Sequence, residues 1–320
     1  LYYDGTYVHK NHINKNMLKQ KMSSYKLTKS LGSIIRFANN KVLLIILVMC
    51  SQSLFAQYTG RVLNNGQQDS IRMLKEVVVS AKLYPQFQRV GENNQPAWTL
   101  VRKFPATRVY IMVPKGTVMY EKWFDMRTER NGGGTEVRMR DEFAFGLADR
   151  LELDLYLHTV YKSDGLQSSF GFRGMSWEIR YALADWGKIW GNPTLYFEHK
   201  LLQGKYQGIE PKILLGDRIG KNGIWGLNLI YEAYAAPTRQ LQQREYAYTA
   251  SYGKIINDDL TIGVSNMFRH NDVDGTNEWY VGPALQYRFN ANGYVNFEIL
   301  PGLNQDAKQF RNTIIFGWRF

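Results

Sequence analysis

Residues 310–320, Phe-Arg-Asn-Thr-Ile-Ile-Phe-Gly-Trp-Arg-Phe, alternate between apolar and polar side chains and end on an aromatic residue. One parity holds Phe310, Ile314, Phe316, Trp318 and Phe320, and the other holds Arg311, Thr313, Gly317 and Arg319. Successive side chains of a β-strand point to opposite faces. This stretch therefore predicts a strand with one apolar and one polar face.

The same alternation recurs from about residue 115 to the end of the chain. About a dozen such segments, each about ten residues long, are typical of a transmembrane β-barrel. The predicted strands are 117–128, 135–147, 150–161, 169–183, 193–202, 206–216, 223–235, 243–254, 259–270, 277–289, 293–303 and 308–320. The predicted fold class is all-β: an antiparallel up-and-down transmembrane β-barrel of about 12 strands, preceded by a signal peptide and a short periplasmic segment.

The composition supports a barrel rather than a helical membrane protein. Aromatic residues make up 14% of the chain, with 21 Tyr, 16 Phe and 8 Trp, whereas the mean hydropathy is −0.38. Such aromatic residues are enriched at membrane interfaces. Of the 40 basic and 28 acidic residues, eight basic and one acidic lie in residues 1–56. The charge of the remainder is nearly balanced, so no nucleic-acid partner is predicted.

The basic start of the chain leads into the apolar run Val42 to Met49 and then to Ala56. A charged region, a short apolar core and a small residue at the cut are the parts of a secretory signal peptide. Residues 1–56 are therefore predicted to be upstream residues and a signal peptide. Cys50 is the only cysteine; its acylation as a lipoprotein would need a small preceding residue, and Met49 is large. Cleavage after Ala56 leaves no thiol, and no metal site or cofactor is predicted.

Residues 57–104 are rich in Gln, Asn and charge, and they differ from the alternating region that follows. Within them, residues 73–81 (Met-Leu-Lys-Glu-Val-Val-Val-Ser-Ala) resemble the TonB-contacting box of outer-membrane receptors. The alternative is a plain periplasmic strand or linker. Residues 57–104 are predicted to be a periplasmic linker or partial plug, and residues 105–320 the barrel.

The connections between strands form two sets, one tight and one generally looser and more polar. Tight turns at one end and longer loops at the other are a feature of outer-membrane barrels. The terminal Phe320, the strand parity, and the turns Gly-Leu-Ala-Asp-Arg at 146–150 and Ala-Asp-Trp-Gly-Lys at 184–188 resemble the Gram-negative outer-membrane β-barrel superfamily. The likeness is to porin and small-solute-channel barrels of about twelve strands.

This resemblance implies location and partners but no particular substrate. It implies residence in the outer membrane of a Gram-negative bacterium, surrounded by outer-membrane lipid. It also implies delivery to the barrel assembly machinery through the C-terminal strand, with Phe320 as the assembly signal. The sequence leaves the oligomeric state open.

Strand parity separates a lipid face from a lumen face. Rows such as Leu151, Leu153, Leu155 and Leu157 fall on the lipid side. The opposite parity carries charges, which would each cost about 2–4 kcal/mol if Arg or Lys faced lipid near the midplane. The predicted lumen set is Glu121, Asp125, Arg138, Arg140, Glu142, Glu152, Asp154, Glu178, Arg180, Glu198, Lys200, Glu210, Lys212, Glu232, Glu245, Arg269, Glu278, Arg288, Glu298, Arg311 and Arg319.

Three neighbouring strands carry an acid followed two residues later by a base. The pairs are Glu178 and Arg180, Glu198 and Lys200, and Glu210 and Lys212. Spacing of two puts both members on one face, where cross-strand neighbours can meet. The set is therefore either a salt-bridged filling that holds the barrel's shape or a charged pore lining that selects solutes.

An enzyme is not predicted. His158, Asp154 and Ser176 share the lumen parity, but no His-x-Ser-Asn-Gly motif like that of outer-membrane phospholipases occurs. The leading hypothesis is a passive pore or channel for small solutes with a charged lumen. One alternative is a non-conducting structural or binding barrel that engages a partner through its loops or periplasmic segment. A lipid hydrolase is the third.

Overall fold

The computed structural model describes residues 85–203, 206–235 and 241–320, with the backbone alone at Tyr206, Leu241 and Gln242. The predicted signal peptide and the box at 73–81 lie outside the described residues. Two short strands, β1 (Arg89–Val90) and β2 (Gln95–Pro96), precede the barrel. The barrel strands are β3 (Val118–Thr128), β4 (Thr135–Ala148), β5 (Leu151–Ser163), β6 (Ser168–Ala182), β7 (Thr194–Leu202), β8 (Tyr206–Ile219), β9 (Gly223–Ala235), β10 (Leu241–Ile255), β11 (Leu260–Asn271), β12 (Asn277–Arg288), β13 (Gly293–Pro301) and β14 (Phe310–Arg319).

Each barrel strand pairs antiparallel with the next, and β14 closes the barrel on β3. The predicted 12-strand up-and-down barrel is confirmed, and no predicted strand end differs from the observed one by more than three residues. Helix is confined, in the described residues, to two single 3₁₀ turns, Ala97–Leu100 and Arg130–Gly132. Neither of them is long or apolar enough to cross a membrane.

The outer surface of the barrel is a belt of exposed apolar and aromatic side chains. On one parity, Leu155, Leu229, Tyr252 and Phe297 each expose between 42% and 48% of their surface, whereas their chain neighbours point inward. A water-facing sheet would not leave such residues uncovered around a closed ring. The belt fits the hydrocarbon core of a bilayer.

One ion pair interrupts this belt. Lys122 of β3 and Asp141 of β4 stand directly opposite each other on the lipid-facing parity, with Nζ 2.7 Å from Oδ2. The Tyr120 hydroxyl also donates a hydrogen bond of 2.6 Å to Asp141. Pairing lowers the cost of holding the two charges outside the lumen.

Residues 85–117 are here called the plug segment, and their central part, residues 98–113, lies inside the barrel. Nine barrel strands hydrogen-bond to this one short segment, which is possible only from within a closed ring. The wall residues are Glu121, Glu142, Glu152, Asn228, Ser251, Thr261, Gln286, Asn296 and Arg319.

The plug segment closes one end of the barrel, which we call the terminal end because β3 begins and β14 finishes there. Gln86 donates a 2.6 Å hydrogen bond to the carbonyl of Asp258 in the β10–β11 turn. Trp98 and Tyr110 pack edge-on against Trp186 of the β6–β7 connection, with ring centroids 5.5 and 5.2 Å apart. The opposite end is called the loop end.

Candidate functional site: a charged vestibule above a plug segment

Ion pairs anchor the middle of the plug segment to the wall. Arg102 binds Glu121 of β3 with its Nη2 2.5 Å from Oε2, and Arg108 pairs with Glu142 of β4. All four side chains are buried. A buried carboxylate is costly without a partner, so the wall and the plug segment neutralise each other.

Backbone groups of the plug segment are also satisfied by wall side chains. The Asn228 amide accepts a 2.9 Å hydrogen bond from the N–H of Arg108 and donates one of 2.6 Å to its carbonyl. Asn296 donates 2.9 Å to the carbonyl of Arg102. Glu152 accepts from the N–H groups of Met112 and Val113, at 2.7 and 3.2 Å. The backbone of an irregular segment has no neighbouring strand to bond with, so these wall side chains supply its hydrogen-bond partners.

A wall glycine makes room for the plug segment. A Cβ at Gly226 of β9 would lie 2.9 Å from Thr107 Cγ2 and 3.0 Å from Val109 Cγ2. Both neighbours are β-branched and restricted at χ1. The absence of a side chain at Gly226 therefore lets the segment lie directly on the sheet.

Above the plug segment lies a cavity of about 790 Å³, here called the vestibule. Arg102, Pro105, Ala106 and Arg108 form its floor. Its walls come from the loop-end halves of the barrel strands, and none of the terminal-end turns lines it. The plug segment thus separates the vestibule from the terminal end.

The structure places the predicted lumen residues as follows. Of the 19 predicted lumen residues other than Glu245 and Arg319, the six half-buried ones are Arg138, Arg140, Lys212, Arg269, Glu278 and Arg311. The 13 buried ones are Glu121, Asp125, Glu142, Glu152, Asp154, Glu178, Arg180, Glu198, Lys200, Glu210, Glu232, Arg288 and Glu298. Glu245 is buried too, and Arg319 is half-buried beside the carbonyl of Leu100.

Arg180 is the centre of the first charge cluster, which lies beside the plug segment. Its guanidinium pairs with Glu152 at 2.5 Å and also contacts Asp154 and Glu178. The Tyr156 hydroxyl donates to Glu178. Every charge in this cluster is at most 1% exposed, so it fills the wall rather than lining an aqueous path.

Lys200 is the centre of the second cluster, which faces the vestibule. It contacts Glu210 and Glu232 closely and Glu198 at 3.7 Å. Further links join Lys212 to Glu210, and Arg269 to Glu232 and Glu245. The basic side chains on this side of the vestibule are thus all paired with acidic side chains on the same side.

A third group lies on the other wall of the vestibule. Asp125 pairs with Arg127 at 2.7 Å and with Arg311 at 3.3 Å. Arg138 pairs with Glu136, which also binds Lys162 at 3.2 Å.

The remaining predicted positions are spread along the barrel. Glu278 and Glu298 line the vestibule. Arg288 lies at the terminal end, where it donates 2.6 Å to the carbonyl of Asp258. Phe320 follows β14; its N–H donates 2.9 Å to the carbonyl of Val118, and its side chain is 62% exposed.

His158 and Ser176 share a hydrogen bond of 2.8 Å between Nε2 and Oγ. Asp154, the third member considered from sequence, is instead held by Arg180. The three side chains do not form a relay in which a carboxylate orients the imidazole. Among the residues that the structure describes, no group of His, Cys, Asp and Glu could hold a metal ion.

Lys103 of the plug segment is buried against β11 and β12. Its Nζ donates 2.7 Å to Gln286 Oε1 and lies 3.4 Å from Thr261 Oγ1. Burial, with Arg288 nearby, lowers the pKa of Lys103 to about 7, although Asp258 and Asp259 oppose the shift.

Sequence reasoning did not single out Arg102, Arg108, Arg127 or Arg173 as lining residues. Arg127 shares the parity of Glu121 and Asp125, and that pattern could have identified it. Arg102 and Arg108 lie in a segment without periodicity. Arg173 faces the vestibule only because of an irregularity in β6, which is described below.

Comparison with known proteins gives fold similarity alone. No family model and no curated protein matches the sequence. The COG4313 outer membrane channel from Pseudomonas putida F1 is 15% identical with a TM-score of 0.47, and the match covers 66% of this chain and 98% of that one. NanC porin (12% identity, TM-score 0.43) and KdgM porin (14%, 0.43) match over 62% and 63% of this chain and 97% and 99% of theirs.

The chain forms a closed antiparallel β-barrel of twelve strands with an apolar outer belt. Every strand of the closed ring pairs with two neighbours, so no strand edge is left with unpaired backbone groups, as a bilayer requires. The apolar belt supplies the surface that lipid covers.

Proposed function

We propose that this barrel is a passive channel for small solutes, with an external vestibule and a plug segment that closes the periplasmic side. The observation that supports it is the vestibule of about 790 Å³, which has charged walls and a floor formed by residues of the plug segment. In outer-membrane barrels the short turns face the periplasm, which assigns the terminal end to that side. Solutes would enter the vestibule from outside.

Passage through the barrel requires the floor of the vestibule to move. The floor residues 102–108 are held by polar contacts, including Thr107 Oγ to Ser251 Oγ at 2.8 Å and Thr249 Oγ1 to the carbonyl of Ala106 at 3.1 Å. Water admitted by a shift of this stretch could replace such contacts one by one. The channel is therefore proposed to be closed at rest and to conduct when residues 102–108 leave the wall.

A non-conducting binding barrel is the second candidate. It is favoured by the ion pairs of Arg102 and Arg108, which are buried and hold the plug segment on two strands. In that case the vestibule would bind a ligand without transferring it.

A reversible lock on the plug segment tests the proposal. The hydroxyls of Thr107 and Ser251 are in contact, so the pair Thr107→Cys and Ser251→Cys can form a disulfide in a chain whose own Cys50 lies in the predicted signal peptide. Single-channel conductance in a planar bilayer is compared with and without reductant. The Thr107→Cys single variant is the matched control.

We expect defined current steps in the reduced double variant, loss of most steps on oxidation, and no redox effect in the control. Silence of the wild type and of both variants under reducing conditions would overturn the channel in favour of the binding barrel. Equal conductance of a quantitatively oxidised form and its reduced form would show that the plug segment does not lie in the path.

A further inference from the structure

The vestibule carries opposite charges on its two walls. Strands β14 and β3–β6 form a basic wall, and strands β7–β12 form an acidic wall. The basic wall presents Arg127, Arg138, Arg140, Lys162, Arg173 and Arg311 with the acids Asp125 and Glu136; the acidic wall presents Glu198, Glu210, Glu232, Glu245 and Glu278 with the bases Lys200, Lys212 and Arg269. A solute therefore meets a transverse field rather than a neutral lining.

Two arginines of the basic wall are left over after its ion pairs are formed. Asp125 and Glu136 bind Arg127, Arg311, Arg138 and Lys162, as described above. Across residues 85–203, 206–235 and 241–320, no acceptor binds the guanidinium of Arg140 or of Arg173. The internal stretches between these ranges, 204–205 and 236–240, contain no acidic residue.

Arg140 is positioned by an aromatic ring instead of a carboxylate. Its Cζ lies 4.0 Å from the centroid of Trp123, whose indole N–H is fixed by a 2.8 Å hydrogen bond to Glu142. Stacking on an indole face leaves the N–H donors at the guanidinium edge available. Arg140 is thus pre-oriented toward the vestibule with donors to spare.

Arg173 is turned inward by a β-bulge. His158 of β5 pairs with Gly174 and Thr159 pairs with Phe172, so Arg173 is the extra residue on β6. Gly174 has φ +142°, and a Cβ there would collide with the carbonyl of Leu201. The bulge reverses the parity of β6 toward the loop end, which leaves Phe172 46% exposed on the lipid side and brings Arg173 to the vestibule.

The two arginines lie on the two strands that flank β5. Arg140 and His158 are register partners, and His158 is in turn the partner of Gly174, so the arginines lie across three adjacent strands. Neighbouring strands are about 4.8 Å apart, and the backbones of β4 and β6 are thus roughly 10 Å apart. Two arginine side chains can bridge that gap to one small anion.

We propose that Arg140 and Arg173 form a binding site for a carboxylate group of a small solute. A carboxylate matches the planar fork of a guanidinium in a bidentate pair. The acidic wall opposite would repel further negative charge and favours a solute whose other end is neutral or cationic. This inference deepens the proposed function by giving the solute class, but binding is measured without conduction, so the two can fail separately.

Calorimetric titration of the full-length barrel in detergent with glutamate tests the site. Glutarate, glutaramide and inorganic phosphate are compared with it, and Arg140→Gln and Arg173→Gln are titrated in parallel. Arg244→Gln is the matched control, because Arg244 lies at the loop end and pairs with Asp272 outside the lining of the vestibule. Heat-modifiability on a gel verifies that each variant is a folded barrel.

We expect glutamate to bind more tightly than glutarate, and glutaramide not to bind. Each of the two site variants should weaken binding by about tenfold or more, with no change in the control. Arg140→Lys keeps the charge without the fork and should also weaken binding, which provides a folded variant if Arg140→Gln does not assemble. Equal affinity for glutaramide or phosphate, or unchanged affinity in both folded site variants, would overturn the proposal.

Discussion

At the scale of single residues, glycines that leave space in the lumen matter as much as the charged side chains that fill it. Gly226 lies on the inward parity of β9, where a larger residue would contact Thr107 and Val109. Alternation alone predicts that Gly226 faces inward, but it does not show that another part of the chain lies against it. The close approach of two backbones is a tertiary property.

Replacing Gly226 by valine should loosen the plug segment without disrupting the barrel. The new side chain must displace Thr107 or Val109, both of which are stiff at χ1. We expect faster limited proteolysis within residues 85–117 and little change in heat-modifiability. Gly171→Val is the control, because a Cβ at Gly171 has no heavy atom within 4 Å; equal proteolysis of the two variants would contradict this assignment.

At the scale of elements, alternation predicted the barrel strands, whereas for residues 57–104 the sequence left a periplasmic linker and a partial plug both open. Residues 151–157 alternate leucine with charged or polar side chains, and a period of two fixes both the element and its faces. Residues 105–117, which the sequence assigned to the barrel, lie in the plug segment and precede the first barrel strand at Val118. They lack periodicity because their polar groups bond to four strands, β4, β5, β9 and β10, rather than to one ladder.

The bulge of β6 marks the other limit of prediction at this scale. A single inserted residue exchanges the two faces of a strand beyond it. Parity counted from Glu178 and Arg180 would place Phe172 inside and Arg173 outside. Gly174, at the point of reversal, is the signal that could have been noticed in the sequence.

The plug segment should dock more tightly as the pH rises above about 7. Lys103 has a pKa of about 7 when docked, below the ordinary value of about 10.4. Below pH 7 docking buries the charged ammonium at its full cost. Between pH 7 and about 10 docking instead releases the proton, at a cost that decreases as the pH rises. We expect proteolysis of residues 85–117 to be slower at pH 9 than at pH 6.

Lys103→Met removes the titrating group and should abolish most of that pH dependence while retaining a similar side-chain volume. Proteolysis of unfolded wild-type chain at each pH corrects for the protease itself. The same pH dependence in Lys103→Met and wild type would assign the effect to another group.

At the scale of the whole molecule, charge is sorted twice. Strand parity first places charged side chains in the interior and apolar side chains on the exterior of the barrel. The position of each strand around the ring then places the basic and the acidic side chains on opposite walls of the vestibule. The first sorting follows from sequence alternation, whereas the second needs the closed order of strands that brings β14 beside β3. The lipid-facing pair Lys122 and Asp141 shows that the alternation of faces along a strand continues even where a charged residue falls on the lipid side.

The central claim is that one parity meets lipid, while the other meets an external vestibule above a plug segment. Three positions of β10 test it together. Ala247 lines the vestibule, Tyr248 points to the lipid side, and Ser251 points inward but is covered by Thr107.

Each position is replaced by cysteine in turn, and intact cells are treated with a membrane-impermeant maleimide. The predicted result is rapid labelling at position 247, with positions 248 and 251 unreactive until the barrel is unfolded. Labelling at 248 as fast as at 247 would contradict the parity, and equally fast labelling at 251 would contradict the plug segment.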